Sequence, residues 1–279
     1  DNQIQLLGWR GPDTLPPDAE AQTIAYTLDW AAYPSAHHQY SAYLQIQTQD
    51  RQRLAGDDVL IWRWLYPSTL WDDEDTVPDQ HLLTVPPDLE PGAYRLVAGG
   101  YITVFADEPV EARGSDGARL GDAATIGWIK VPQRAAPEPE PGALAVDAAL
   151  GEVIALRAAF AQPLDGGRVR LALDWEALAS RPALDATIFV HAIGPDGSTI
   201  AQDDRRPWDG QYPTFIWDAG ERVRTEHVLD LGSTPPGDVT LRAGMYTLPE
   251  VTNLPVVQDG TPDPDSVIQL GSLAGLLVD

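Results

Sequence analysis

The sequence predicts an all-β protein of two tandem antiparallel β-sandwich domains, Ig-like or jelly-roll-like, produced by internal duplication. Three observations carry this expectation. First, the stretch 57–83 matches 203–229 without a gap: Asp57-Asp58 falls on Asp203-Asp204, Trp62 on Trp208, Tyr66-Pro67 on Tyr212-Pro213, Trp71-Asp72 on Trp217-Asp218 and His81 on His227. Second, short segments rich in β-branched and aromatic residues alternate in their side chains, the period of a half-buried strand. Third, 25 prolines and 24 glycines punctuate the chain at short intervals, which suits turns and opposes long helices.

The strands follow in order, each with its partner in the other copy. Ile4 to Trp9 occupies the place of Val153 to Phe160, so the Ala-rich stretch around the latter is read as strand rather than helix. Ile24 to Trp30 matches Val169 to Trp175, and Ser41 to Thr48 matches Thr187 to Ile193. Polar turns come next, Gln49 to Gln52 and Gly194-Pro195-Asp196-Gly197; Pro presets the backbone and Gly accepts positive φ. Arg53 to Gly56 and Thr199 to Gln202 return as hairpin partners. Val77 to Val85 and Val223 to Leu231 precede Pro-rich turns, then Ala93 to Tyr101 and Asp238 to Tyr246 alternate again. Thr125 to Val131 and Ser266 to Leu270 close the two copies.

These matches place copy one at 1–131, a linker at 132–143, copy two at 144–273 and a tail at 274–279. The linker contains alternating Pro and Glu, which favours an extended, semi-rigid polyproline conformation. Copy two has Leu144 to Leu150 ahead of its first matched strand and copy one has almost nothing, so the natural chain is expected to continue upstream of Asp1.

Composition excludes several classes. The formal net charge is -24, and Lys130 is the only lysine. Such a field repels phosphate backbones and anionic headgroups, which argues against nucleic-acid partners and electrostatic membrane adhesion. No apolar run reaches the length of a membrane span, so this segment is not expected to insert directly. With no cysteine, disulfides and thiolate metal sites are ruled out.

The duplication also sorts the candidate residues. A position kept in both copies serves the fold; a position present in one is free to serve function. Trp71 and Trp217 are kept and read as core anchors, as do Trp30 and Trp175. Asp57-Asp58 and Asp203-Asp204 are oxygen ligands of the kind calcium takes, but they recur at the ends of hairpins without calcium-loop spacing, and capping of turns is the preferred reading. His81 and His227 recur and are read as ties between strands. His37-His38 is read as polar loop, and His191 opposite Gln45 as a hydrogen-bonding position.

Trp9, Trp64 and Trp128 have no Trp partner; Ala159, Gly210 and, more loosely, Gln269 take their places. In an extended segment Trp62 and Trp64 project to one side and form an aromatic row with Tyr66. This row is the candidate ligand-binding surface, since aromatic faces stack on the apolar face of a sugar ring. The opposing reading fills a sandwich edge or an interface with Trp64. No Gly-x-Ser-x-Gly, phosphate loop or His-Glu-x-x-His occurs. The abundant carboxylates leave a glycoside-hydrolase pair as the least favoured reading.

Copy two reads Leu173-Asp174-Trp175, Ile188 to His191, Asp196-Gly197, Ala201 to Asp204, Tyr212-Pro213-Thr214, Trp217 to Glu221, Pro236-Gly237 and Ala243 to Tyr246. This series resembles the extracytoplasmic C-terminal β-sandwich repeats of bacterial dolichyl-phosphate-mannose-type membrane glycosyltransferases. Copy one keeps Tyr66 to Trp71 but has Glu74-Asp75 where copy two has Gly220-Glu221, and its Arg119-Leu120 is similar to the pair that ends such units. The resemblance implies a non-catalytic accessory or interaction region, outside the cytoplasm and tethered by a membrane portion absent here. No catalytic residue carries over, and no cofactor is expected. The partners implied are a glycan or the membrane portion of the same chain. The alternative is a pair of carbohydrate-binding modules.

Overall fold

The structure, a computed structural model, describes residues 4–32, 37–72, 75–103 and 109–277, with Trp64 described by its backbone alone. It falls into two compact units, 1–134 and 135–279. Strands dominate both, and among the described residues the strands within each unit pair antiparallel, with isolated parallel bridges at Thr14–Lys130 and Ala161–Leu277.

Unit one contains β1 (Ile4–Arg10), β2 (Gln22–Ala32), β3 (Tyr40–Gln47), β4 (Arg53–Leu60), β5 (Thr76–Val85), β6 (Gly92–Ile102), β7 (Ala112–Arg113), β8 (Arg119–Gly121) and β9 (Ala123–Val131). One sheet has the order β1-β2-β5 and the other β4-β3-β6-β9, while β7 and β8 form a separate hairpin. The two sheets share one core. Tyr26, Leu28 and Trp30 of β2 meet Leu44, Ile46, Leu96 and Ile129 of the facing sheet. Strand geometry, in which successive side chains point to opposite faces, lets β5 bury every second residue along its whole length.

Unit two contains β10 (Leu144–Leu150), β11 (Ile154–Leu164), β12 (Arg168–Ala177), β13 (Ala186–Ile193), β14 (Thr199–Arg205), β15 (Arg222–Asp230), β16 (Thr240–Thr247), β17 (Thr252–Asn253), β18 (Val256–Gln258), β19 (Thr261–Asp263) and β20 (Ile268–Ser272). Its sheets contain the orders β11-β12-β15 and β14-β13-β16-β20, the same as in unit one. Register agrees as well. Tyr43 pairs with Asp58 as Phe189 pairs with Asp204, and Trp30 faces Val77 as Trp175 faces Val223. A bulge even recurs, at Leu7 in β1 and at Arg157 in β11. Duplicated order, register and bulge together are the structural form of the sequence repeat.

The copies differ at their margins. In unit two β10, β18 and β19 extend the first sheet beyond β11, and the β7–β8 hairpin has no match there among the described residues. The segment read as a tail begins in a one-turn helix, α1 (Leu273–Leu276), that buries Leu273 and Leu276, and Leu277 bridges to Ala161; up to that residue it is part of the core. The Pro/Glu-rich run is not free either. Arg224 donates to the Glu138 carbonyl (2.7 Å) and reaches the Glu140 carboxylate (3.1 Å), which lays the run on unit two. Trp128 aligns with Ser272 rather than Gln269, because Arg95 pairs with Trp128 as Thr240 pairs with Ser272.

Candidate functional site

The segment that follows β4 and β14 carries most of the singled-out residues. Its fold is the same in both copies, and it is not extended. Ile61–Trp64 and Pro207–Gly210 are one-turn 3₁₀ segments in which Trp62 (φ 58°) and Arg63 (φ 49°), or Trp208 (φ 51°) and Asp209 (φ 54°), lie in the left-handed region. Two such residues in succession are sterically costly without glycine, so the surroundings must hold them. The indole does so: Nε1 of Trp62 donates to the Pro78 carbonyl (2.5 Å) and Nε1 of Trp208 to the Arg224 carbonyl (2.8 Å). Trp62 and Tyr66 therefore do not form an exposed row. Both are partly buried and pack on the core of unit one. The side chain of Trp64 lies outside the described residues.

A second turn follows, again shared. The indoles of Trp71 and Trp217 are buried, and each donates to a backbone carbonyl, Tyr66 or Tyr212, at 3.0 Å. The Tyr66 hydroxyl donates to Asp75 (2.5 Å), and that of Tyr212 donates to Glu221. The bond to Asp75 pushes the Tyr66 phenol up to about 12. Ser68 and Thr214 recur too. The Ser68 hydroxyl donates to the His38 carbonyl (2.8 Å) and accepts from the Tyr40 amide (3.1 Å), and Thr214 does the same with Leu184 (2.7 Å) and Ala186 (3.0 Å).

The acidic doublets lie within β4 and β14, not at turns, because both strands run further than the sequence pattern indicated. Their first members stitch the two sheets along one edge. Asp57 accepts the free edge amide of Leu82 (2.9 Å), and Asp203 that of Val228 (3.2 Å). Behind each is a fully buried histidine. His81 Nδ1 is 3.8 Å from Asp57, with Nε2 3.0 Å from Asp79. His227 Nδ1 is 3.3 Å from Asp203, with Nε2 3.3 Å from the Thr225 hydroxyl, which in turn accepts from the Trp175 indole (3.0 Å). Burial opposes the charge on Asp203, but its bonds with His227 and Arg205 outweigh that and hold the carboxyl at about 2. The second members turn elsewhere: Asp58 accepts from the Tyr101 hydroxyl (2.9 Å), and Asp204 lies 3.4 Å from His191. Among the described residues no three His, Asp or Glu side chains gather into a metal-holding group.

One concavity stands out, and it is in unit two. Arg205, Trp208, Asp209, Arg224, Thr225 and Glu226 line a hollow of about 340 Å³. Trp208 is 37% exposed there, and its ring lies 4.8 Å from that of buried Tyr212. The charged walls are braced from behind. Arg224 is clamped by Asp174 (2.6 and 2.8 Å), Arg205 by Asp203 (2.8 Å), and Glu226 by Arg170 (2.5 Å). The sequence signal for this hollow is a difference in charge between the copies rather than in aromatics: Val59, Arg63, Pro78 and Gln80 stand where copy two has Arg205, Asp209, Arg224 and Glu226.

No protein-family model matches the chain, and no curated protein matches it.

Proposed function

We propose that this chain is a non-catalytic, extracytoplasmic accessory region of a membrane glycosyltransferase-like protein. One observation carries the non-catalytic part. Asp57 and Asp203, the carboxylates that hydrolysis or metal binding would draft, accept edge amides and face the fully buried His81 and His227 at equivalent places in both copies. Attachment rests on the motif resemblance, whose Tyr-Pro-x-x-x-Trp segment is the turn that seats the buried indole. No helix among the described residues is long and apolar enough to cross a membrane, and the proposed attachment places the tether in other sequence. The coding sequence upstream of Asp1 tests this. Several apolar runs of about 20 residues are expected; a leader peptide directly before Asp1 would refute attachment on that side.

A second reading, carbohydrate binding, is favoured by the half-open Trp208 indole. It moves the binding surface from copy one to copy two.

A further inference from the structure

The hollow at Trp208 separates into a shared frame and residues that only one copy has. The frame is the left-handed turn and the indole bonded to a backbone carbonyl, and copy one has both. The walls are not shared: both guanidiniums and both carboxylates belong to copy two alone. At the four wall positions copy one has Val59, Arg63, Pro78 and Gln80, so three of the charges are found in copy two alone and the fourth is reversed in sign around a ring that both copies keep. We propose that this hollow is a binding site for a neutral pyranose, stacked on the Trp208 indole and hydrogen-bonded by Arg205, Arg224, Asp209 and Glu226.

The chemistry follows from the walls. Two guanidiniums and two carboxylates leave the lining without net charge, so neither an anionic nor a cationic ligand is favoured. Sugar hydroxyls both donate and accept, and so use both kinds of wall: they accept from guanidinium N–H and donate to carboxylate oxygen. The indole face supplies the apolar contact that the C–H side of a pyranose needs. A volume of about 340 Å³ is at the small end of ligand sites and suits one ring rather than an oligomer. The braces matter as well. Arg224, Arg205 and Glu226 are already fixed by Asp174, Asp203 and Arg170, which lowers the ordering cost on binding. Asp209, 79% exposed, is the wall most open to solvent.

Sugar binding here rests on the carbohydrate-binding reading alone and not on a membrane-bound parent. The test is a titration of the full chain with methyl pyranosides of mannose, glucose, galactose and N-acetylglucosamine, following the indole N–H signals by NMR. The Trp208 signal is expected to shift and saturate with a Kd near millimolar, about 4 kcal/mol, for at least one neutral sugar, while Trp62 stays still. Asp209→Ala should weaken binding several-fold and Trp208→Ala should abolish it; Trp208→Tyr, which keeps an aromatic platform, controls for misfolding and should retain part of it. Absence of any saturable shift, an equal shift at Trp62, or undiminished binding by Asp209→Ala would overturn the assignment. So would tighter binding of galacturonate or glucosamine than of the neutral sugars. Failure here leaves the accessory reading to be decided by the upstream sequence.

Discussion

Replacing Asp203 by Asn tests whether the acidic doublets close the sandwich edge. The Asp203 carboxyl is held at about 2 against an ordinary 3.8, a difference of about 2 kcal/mol at full value. Its side chain is 14% exposed, and solvent screening trims this to about 1–2 kcal/mol. The sign is fixed by linkage. A carboxyl depressed by folding stabilises the fold above its unfolded pKa, and that stability is lost as pH falls from about 4 through about 2. Asn keeps an acceptor for the Val228 amide but removes the charge facing His227 and Arg205. Near neutral pH the variant should therefore be about 1–2 kcal/mol less stable, with the gap closing by about pH 2. Hydrogen exchange across β12 to β15, read by mass spectrometry in increasing urea, isolates unit two from unit one. No gap at neutral pH, or one unchanged in acid, would refute the reasoning.

Three further outcomes are expected. Trp71→Ala and Trp217→Ala should each cost about 3–5 kcal/mol, seen as early urea unfolding of the unit that carries the change and not of the other. Thr214→Val leaves the buried Ala186 amide and Leu184 carbonyl without their partner and should cost about 1–3 kcal/mol, with Ser68→Ala showing a similar loss in unit one. Tyr66→Phe should remove, from the ultraviolet titration of the tyrosines, one phenol that ionises at about 12.

The frame was legible because its physics is local and repeated. Val77 to Val85 and Val223 to Leu231 are read as strands from the sequence, and both bury every second residue. Trp71 and Trp217 could be assigned to the interior from recurrence alone. The turn at Trp62 was not legible: residues in the left-handed region are usually announced by glycine or asparagine, and here they are Trp and Arg, held by a carbonyl 16 residues away. The doublets were misplaced for a related reason. β4 and β14 continue past the Gly56 and Gln202 positions because their register with β3 and β13 carries on, and that pairing is tertiary. The hollow escaped because its walls come from β14, the following turn and β15. Only comparison of charge between the copies, Arg205 with Val59 and Arg224 with Pro78, signals it.

The most direct measurement compares the unfolding free energy of two sets of single substitutions in the full chain. One set changes positions kept in both copies: Trp71, Trp217, Ser68 and Thr214. The other changes exposed hollow positions whose charge differs between the copies: Asp209 and Glu226. If shared positions serve the fold and unshared ones serve binding, truncations in the first set cost about 1–5 kcal/mol. Those in the second cost at most about 1 kcal/mol, the usual limit for exposed ion pairs. Overlap of the two distributions would contradict the division of labour on which the account rests.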